Sequence, residues 1–446
     1  MNLKLEFAKQ YLAVRLRHFR SREQLLTWQN QQVRTFLKST VPQSPFYSHH
    51  FEGLSLQNWE TLPTVTKAIM MANFDGFNTV GLSKDALFEI ALRGESTRDF
   101  SPVVQGFTVG LSSGTSGNRG LFLVSPLERQ LWAAYIIAKL MPNAVFERHR
   151  IALFLRANSN VYTTLNSIRI QFAYFDLVQS PPEHLARLND LQPTVLVAPP
   201  SMLRYLASAQ EAGRLAINPR KIISGAEVLD PLDKRYIEAA FGQRLHQVYQ
   251  ATEGFLGCTC EKGTLHLNED IVAVQRDVLD AATGKFAPVI TDFHRTTQPI
   301  IRYRLDDVLT EMRGTCECGQ HSLALEHIEG RCDDVFYFPA QSGKGWVMVF
   351  PDFIRRAVMT SSDAIRAYQV EQTGPDHIVI RLELPQTQEQ QAQHALSDEL
   401  HRLVRERGGH MPQITFEPLS LELPSTTKLR RVVRTFSIDP HIDRVI

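Results

Sequence analysis

Apolar runs and helical repeats alternate along the middle of this chain. Short runs rich in β-branched residues predict strands at residues 107–111, 151–155, 194–198, 221–224 and 245–249. Between them, apolar residues recur at helical spacing over residues 126–141, 202–213 and 230–241. This alternation is typical of an α/β domain, in which helices cover both faces of a parallel sheet. Functional residues are therefore expected in the loops at the strand ends.

The last hundred residues follow another pattern. Alternating apolar residues predict strands at residues 364–371, 376–384 and 413–421. A helix is predicted over residues 388–407, and the following residues share its apolar face: Ala392, Leu396, Leu400, Leu403 and Val404. This segment is expected to form a small α+β domain.

These patterns divide the chain into three parts. Residues 1–100 are predicted to be mostly helical, with proline-containing breaks at residues 41–45 and 62–64, and to pack on the next domain. Residues 101–332 form the large α/β domain, and residues 333–446 form the small C-terminal domain. The length of 446 residues agrees with more than one hydrophobic core.

Charge and composition exclude some classes of function. Lys and Arg (48) nearly balance Asp and Glu (47), so the net charge of +1 gives no support to nucleic-acid or membrane binding. The longest apolar run, residues 131–141, contains Lys139 and is too short to span a bilayer. Five cysteines are too few for a disulfide scaffold, and residues 1–22 lack the apolar core of a signal peptide. We therefore expect a cytoplasmic protein.

A loop rich in serine and glycine follows the first predicted strand. It contains Ser112, Ser113, Gly114, Thr115, Ser116 and Gly117. Glycines allow backbone N–H groups to turn inward, and the hydroxyl groups add donors, so this composition favours phosphate binding. It is not a Walker-type loop, because no Lys-Ser/Thr pair follows the second glycine. A plain hairpin connection is the alternative.

Four further segments place polar side chains after predicted strands. They are Ser224-Gly225-Ala226-Glu227, Tyr249-Gln250-Ala251-Thr252-Glu253-Gly254, Arg302-Tyr303-Arg304-Leu305-Asp306-Asp307 and Gly330-Arg331-Cys332-Asp333-Asp334. Each segment alone is a weak signal, since exposed carboxylates are usually only solvated and buried aromatic residues are usually core. Their order along the chain makes the combination specific.

With these motifs, the sequence resembles the adenylate-forming superfamily of acyl-CoA synthetases. It is most similar to the phenylacetate-CoA ligase-like branch, which also includes the indoleacetate-lysine ligases. The matching segments are residues 112–117, 225–227, 249–253, 302–307 and 330–334, within a resemblance that covers residues 60–435. The resemblance implies an acid-thiol ligase that forms AMP, with a large domain that binds ATP and the acid, and a small domain that is mobile.

The resemblance also implies a role for each nucleotide-binding residue. Residues 112–117 would wrap the β- and γ-phosphates of ATP, and Gly225, Ala226 and Glu227 would form the adenine segment. Tyr249 would lie along the adenine, and Asp307 would accept hydrogen bonds from both ribose hydroxyls. The alternative for Asp307 is an exposed ion pair with Arg302 or Arg304.

The resemblance implies catalytic roles for Thr252, Glu253 and Lys428. Thr252 would contact the α-phosphate, and Glu253 would hold Mg²⁺, a cation that suits a carboxylate together with phosphate oxygens. Arg331 would stay near the ribose or phosphate, and Asp333 would be the hinge about which the small domain rotates. Asn118-Arg119 stands where many relatives have Lys-Pro, so Arg119 is expected to supply that charge.

The family's catalytic lysine comes from a loop near the chain end. Lys428 occupies that place here, but Thr427 precedes it where the family usually has glycine. The alternative is a solvated lysine on an exposed basic terminus.

Cysteine and histidine residues form one more candidate site. The resemblance implies structural Zn²⁺ bound by Cys260, His266, Cys316 and Cys318. Cys258 and His321 are alternative ligands, and free buried cysteines are the alternative to any metal. A bound zinc ion is expected to clamp the fold and not to catalyse.

Substrate and acceptor are less defined by the sequence. Aromatic and amide residues at positions 156–162 and 172–175 indicate an aryl or arylacetic acid, although a medium-chain fatty acid and plain core packing stay open. Thioester formation with CoA is favoured over transfer to an amine, an amino acid or a carrier protein. A non-catalytic nucleotide-binding homologue is the remaining alternative. The N-terminal helical segment leaves a homodimer open.

Overall fold

A computed structural model provides the structure of the chain. It describes residues 2–101, 103–112, 119–141, 147–158, 160–164, 166–179, 181–419 and 430–438. The N-terminal region consists of the helices α1 (Leu3–Leu16), α2 (Arg22–Thr40), α3 (Pro45–His50), α4 (Lys67–Ala72), α5 (Phe74–Phe77) and α6 (Lys84–Thr97). Short 3₁₀ helices at Val41–Gln43 and Leu56–Thr61 occupy the breaks between them. Helices therefore make up most of the regular structure in this part of the chain.

The first predicted strand lies in a small sheet of its own. This sheet contains β1 (Val103–Val104), β2 (Phe107–Leu111) and β3 (Leu121–Val124), and its neighbouring strands pair in antiparallel directions. The prediction that residues 107–111 join the parallel sheet was wrong, because β3 returns beside β2 as a hairpin. Helix α7 (Pro126–Leu140) follows, and its N-terminus is fixed by a capping box between Ser125 and Glu128.

The predicted parallel strands form half of the large sheet. They are β4 (His149–Leu155), β5 (Ile170–Asp176), β6 (Val195–Ala198), β7 (Lys221–Ser224) and β8 (Leu245–Ala251), in the order β5-β4-β6-β7-β8. The connecting helices are α8 (Asn160–Thr163), α9 (Pro181–Leu191), α10 (Pro200–Glu211) and α11 (Pro231–Phe241). Helix α7 packs on one face of these strands, and α9, α10 and α11 pack on the other. Coverage of both faces explains why the strands are apolar throughout.

The second half of the large sheet is antiparallel. It contains β9 (Gly254–Thr259), β10 (Leu265–Leu267), β11 (Val272–Asp280), β12 (Lys285–Asp292), β13 (Ile300–Arg304), β14 (Asp307–Glu311) and β15 (Ala324–Arg331). The direction changes where β9 turns back on β8 as a hairpin. A sheet of parallel strands alone was therefore the wrong expectation. The N-terminal region shares a hydrophobic core with this half, through residues such as Leu37, Trp59, Ile290 and Tyr303.

The C-terminal part forms a separate α+β unit with its own core. Its elements are β16 (Phe336–Pro339), β17 (Trp346–Val349), α12 (Pro351–Ser361), β18 (Ala367–Gly374), β19 (His377–Glu383), α13 (Glu389–Glu406), β20 (Gln413–Pro418) and β21 (Val432–Arg434), with short 3₁₀ helices at Cys332–Asp334 and Gln386–Gln388. The strand order is β20-β19-β18-β21. Helix α13 buries the five predicted apolar residues. The α/β fold class with a small α+β C-terminal domain is confirmed.

The basic N-terminal helix packs on the large domain. Tyr11 and Val14 of α1 are buried against α7, beside Leu131 and Tyr135. Among the described residues, no helix combines the length and apolarity that crossing a membrane requires.

Candidate active site

One cavity collects the residues of the predicted motifs. It has a volume of about 530 Å³ and lies at the carboxyl ends of β7 and β8. Nine predicted site residues line it: Ser112, Gly225, Ala226, Glu227, Tyr249, Thr252, Glu253, Asp307 and Arg331. Parallel strands bring their carboxyl ends to one edge of the sheet, which is why motifs distant in sequence meet here.

The side chains of Tyr249 on β8 and Asp307 on β14 meet at the cavity. The Tyr249 hydroxyl donates to Asp307 Oδ2 at 2.6 Å. Burial, reinforced by the Asp307 carboxylate, raises the pKa of Tyr249, so this hydroxyl stays protonated and donates. Arg304 instead pairs with Asp277, at 2.7 Å between Nε and Oδ2. The structure thus places Asp307 at the cavity, bonded to Tyr249.

The segment after β7 has an unusual backbone. Ala226 has a φ of +68°, a conformation that non-glycine residues seldom adopt. A Cβ on Gly225 would lie 2.7 Å from Val248 Cγ1, so only glycine fits against β8 here. Glu227 accepts a hydrogen bond from the backbone N–H of Ser201 at 3.2 Å. This strained turn sits beside Tyr249 on the cavity wall, and strain of this kind clusters at binding sites.

Thr252 and Glu253 occupy the turn between β8 and β9. The Thr252 hydroxyl donates to Glu253 Oε2 at 2.8 Å, which orients the carboxylate. Both residues line the cavity, and Glu253 is close enough to Lys67 to act on its charge. A carboxylate held in this way can receive a divalent cation with phosphate oxygens.

The serine- and glycine-rich loop connects β2 to β3. Residues 113–118, which include Ser113, Gly114, Thr115, Ser116 and Gly117, lie outside the described residues. At the base of the loop, the Ser112 N–H donates to the Gly120 carbonyl at 2.7 Å, and the Gly120 N–H donates to Ser112 Oγ at 2.8 Å. Arg119 forms a two-pronged ion pair with Glu95. Its charge is therefore already engaged within the protein.

Lys67 is a site residue that the sequence did not indicate. It begins α4, and its ammonium group donates to Ser112 Oγ at 3.2 Å on the cavity wall. Burial, together with nearby Arg331 and Arg119, lowers the pKa of Lys67, while Glu253 and Asp306 oppose that shift. Lys67 belongs to none of the predicted motifs. The only local signal is the helix start at Thr66, whose side chain caps α4.

The junction between the two domains forms another wall of the cavity. Arg331 donates to Asp306 Oδ2 at 3.2 Å, and Asp334 is buried against Arg430 in an ion pair. Asp333 lies at the surface beside them, with its side chain 51% exposed. Lys428 lies outside the described residues, but Arg430, the first described residue after it, lines the cavity.

Buried polar contacts also hold the small domain on the large one. Arg431 donates to both carboxylate oxygens of Asp233, at 2.7 Å and 2.7 Å from Nη2. The Tyr368 hydroxyl donates to Asp230 Oδ2 at 2.5 Å. Burial, with Asp230 as the largest charge nearby, raises the pKa of Tyr368. These contacts fix the position in which the small domain closes the cavity.

The four predicted metal ligands converge at one point. The candidate ligand atoms of Cys260, His266, Cys316 and Cys318 lie within 4.8 Å of one another. The Cys260 and Cys316 sulfur atoms are 3.8 Å apart, and Cys318 Sγ is 3.4 Å from His266 Nε2. Thiolates bound ~2.3 Å from a shared tetrahedral ion would be separated by roughly this distance. The donor set therefore fits a tetrahedral metal.

The surroundings of the cluster support the same geometry. His266 Nδ1 lies 3.1 Å from the Ser322 carbonyl, an arrangement that leaves Nε2 facing Cys318. The two alternative ligands lie elsewhere: Cys258 contacts Asn268, at 3.5 Å from Sγ to Oδ1, and His321 is exposed. As far as the described residues define it, the cavity has none of the four ligands in its lining. The cluster therefore lies apart from the cavity.

Comparisons with known proteins agree with this architecture. No protein-family model matches the chain. Protein CapK of Staphylococcus aureus is 21% identical over 406 residues, which cover 85% of this chain and 83% of that protein. The chain is similar in structure to 2-hydroxyisobutyryl-CoA ligase in the postadenylation state in complex with 2-HIB-AMP, with a TM-score of 0.66, 16% identity, and coverage of 91% of this chain and 89% of that one. It is also similar to the GH3.15 acyl acid amido synthetase, with a TM-score of 0.53, 12% identity, and coverage of 88% and 87%.

This chain has the fold of the adenylate-forming ligases. Different states of one such ligase match it to different degrees. The TM-score to 2-hydroxyisobutyryl-CoA ligase is 0.66 in the postadenylation state and 0.52 in the thioesterification state. Because these are states of one protein, the difference reflects the arrangement of its parts. The chain therefore superposes better on the postadenylation structure than on the thioesterification structure.

Proposed function

We propose that this protein activates a carboxylic acid with ATP and then transfers the acyl group to CoA. In the first step, a carboxylate oxygen bonds to the α-phosphorus while the bond to pyrophosphate breaks. In the second step, the thiol sulfur of CoA bonds to the acyl carbon, AMP leaves, and the thiol proton passes to solvent. The protein forms no covalent bond in either step, so it acts by positioning and by electrostatic stabilisation.

The observation that carries this proposal is the convergence of separate motifs in one cavity. Tyr249 lies on β8, Thr252 and Glu253 lie in the turn after it, and Asp307 begins β14. The similar ligases share the fold that brings these residues together. Tyr249 would lie along the adenine, and Asp307 would hold the ribose hydroxyls. The turn at residues 225–227 would receive the adenine edge.

The phosphate end of the cavity requires positive charge. Glu253 would hold Mg²⁺, with Thr252 directed to the α-phosphate, and the ion would neutralise phosphate charge when bound. Lys67 and Arg331 are among the cationic side chains that line the cavity. Residues 112–117 would wrap the outer phosphates. Asp333 would be the hinge of the small domain, and Lys428 would approach the carboxylate and the α-phosphate.

Replacement of Lys67 by Ala tests the role of the unpredicted lysine. We expect kcat/KM for ATP to fall about tenfold to a hundredfold, because a hydrogen bond between charged groups contributes about 1.5–3 kcal/mol. Steady-state pyrophosphate release measures the effect. Lys67→Arg should restore part of the activity, and Lys38→Ala, at an exposed position in α2, is the matched control. Wild-type ATP kinetics in Lys67→Ala would contradict the role.

Replacement of Lys428 by Ala separates a ligase from a nucleotide-binding homologue. In a ligase, we expect adenylation to fall about 10²- to 10³-fold while ATP still binds, because a cation on the transition state is lost. Single-turnover acyl-adenylate formation and equilibrium ATP binding are the two measurements. Unchanged behaviour in both would support the non-catalytic alternative.

A panel of acids tests the function directly. The purified protein would be incubated with ATP, Mg²⁺ and aryl, arylacetic and fatty acids, with and without CoA. Acid-dependent pyrophosphate release with CoA consumption would establish the thioester ligase. Release without CoA consumption would indicate an amine, amino acid or carrier-protein acceptor. Absence of release with every acid, with ATP bound, would contradict the catalytic proposal.

Structural zinc is part of the same proposal. Cys260, His266, Cys316 and Cys318 would hold the ion and so connect the end of β9 with the loop before β15. This loop spans residues 312–323 without a strand or helix, and such a loop gains order when its ligands are joined. The ion would take no part in adenylation.

A further inference from the structure

The cavity extends beyond the nucleotide motifs into a channel beside helix α7. Six residues of this helix and its C-cap line it: Glu128, Leu131, Trp132, Tyr135, Ile136, Leu140 and the C-cap Met141. At about 1.5 Å per residue, the span from Leu131 to Met141 is about 15 Å. The channel therefore follows α7 through most of its length, away from the phosphate end.

The opposite wall of the channel has the same depth. Leu155, Leu153 and Ile151 alternate along β4 and line the cavity on one face of the sheet. Their neighbours on β6, Val197 and Val195, continue this face. At about 3.3 Å per residue, the span from Leu155 to Ile151 is about 13 Å. Two independent elements thus outline one deep channel that begins at the carboxyl end of the strands.

The far part of the channel is aliphatic. Ile151, Val195, Leu140 and Met141 form it, and none of these side chains offers a hydrogen bond. Leu140 and Leu153 keep 7% and 8% of their surface exposed, whereas core residues such as Ala133 keep 0%. Leu140, Met141, Ile151 and Val195 line the cavity and also belong to the hydrophobic core between α7 and the sheet. Asp292 and His294, which also line the cavity, come from the end of β12 and the loop after it.

The aromatic lining lies along a different part of the wall. Trp132 and Tyr162 pack edge to face with ring centroids 5.5 Å apart, and Tyr162 stacks on Phe172 at 6.5 Å. These rings contact one another, so the aromatic residues in the sequence serve partly as core. An aryl acid held beside Trp132 would leave the aliphatic end empty.

We propose that the acid activated here is a straight-chain fatty acid of medium length, about eight to twelve carbons. Its carboxylate would lie at the Thr252 end, and its tail would extend between α7 and β4 to Leu140 and Met141. An extended chain advances about 3.5 Å for every three bonds, so the ~13–15 Å channel holds a tail of this length. This inference rests on the proposed adenylation function and names its substrate class.

Wild-type specificity across chain lengths is the first test. The measurement is kcat/KM for pyrophosphate release with butanoate, hexanoate, octanoate, decanoate, dodecanoate and phenylacetate. Each buried methylene is expected to raise kcat/KM about fourfold, so decanoate should exceed butanoate on the order of a thousandfold. A flat profile, or phenylacetate above decanoate, would overturn the inference and leave the ligase function intact. Silence with every acid would overturn the ligase function itself.

Variants at the far end give a second test. In Leu140→Trp, the indole fills the end of the channel, so decanoate activity should fall about a hundredfold while butanoate activity stays within threefold. Activity with butanoate in the same variant reports that the protein is folded. Val195→Phe narrows the opposite wall and should shift the preference in the same direction. Gln130→Trp, on the same helix outside the cavity lining, is the matched control. Equal loss at every chain length in both variants would contradict the placement of the tail.

Discussion

Replacement of Asp307 by Ala is expected to lower kcat/KM for ATP by at least about 100-fold. The carboxylate would accept hydrogen bonds from two ribose hydroxyls, and each bond to a charged group contributes about 1.5–3 kcal/mol. The change also removes the partner of the Tyr249 hydroxyl, which donates to Asp307 at 2.6 Å. Binding of ATP and single-turnover adenylation would both weaken, because the ribose is held in every step.

Two comparisons make the Asp307 result interpretable. Asp277→Asn removes a carboxylate from the same region, where it pairs with Arg304 at the surface, and should leave ATP kinetics unchanged. Tyr249→Phe removes the donor but keeps the aromatic face, so its effect should be smaller than that of Asp307→Ala. If the wild type and Asp307→Ala prefer ATP over 2′- or 3′-deoxy-ATP by the same factor, Asp307 does not hold the ribose.

Loss of the metal is expected to destabilise the protein without changing the chemistry of the folded fraction. With free zinc at a thousandfold its dissociation constant, binding stabilises the folded chain by about 4 kcal/mol. For a chain of this size, that corresponds to a fall in Tm of about 4 °C. Chelation of the wild type should lower the Tm by this amount, and so should the substitution Cys318→Ser, because four ligand atoms converge within 4.8 Å.

The matched control uses a cysteine outside the cluster. Cys258→Ala removes a half-buried thiol on β9 that contacts Asn268 and is not part of the cluster. Elemental analysis should give one zinc ion per chain for the wild type and Cys258→Ala, and much less for Cys318→Ser. An equal metal content in Cys318→Ser and the wild type would exclude Cys318 as a ligand. A wild type without zinc after growth in zinc-replete medium would leave the cluster as free cysteines.

The sequence alone predicted those strands and helices whose pattern of apolar residues follows from burial. Strands β4, β6, β7 and β8 are covered on both faces, so their apolar runs were visible. Helix α13 shows one apolar face, and its five buried residues were predicted. The motifs after β7 and β8 were also visible, because a strand end is where functional side chains collect.

Other features depend on contacts between distant residues. The antiparallel half of the sheet was missed, because strands β9 to β15 are joined by hairpins and share no single pattern. Lys67 reaches Ser112 from a helix 45 residues earlier, and no spacing rule connects the two. Family resemblance placed Cys260 in the cluster. In the fold, Cys258 lies within β9, whereas Cys260 follows the end of β9 and lies with the other ligands.

The sequence by itself therefore determined the fold class, the small domain and the positions of the motifs, since each is encoded in periodicity or in a short segment. Only the tertiary structure decided which cation faces the loop at Ser112 and how deep the channel beside α7 runs. The depth depends on how α7 lies against β4 and β6, whose residues Ile151 and Val195 share a core with Leu140. That distance is a property of packing between elements, and no local pattern of residues records it.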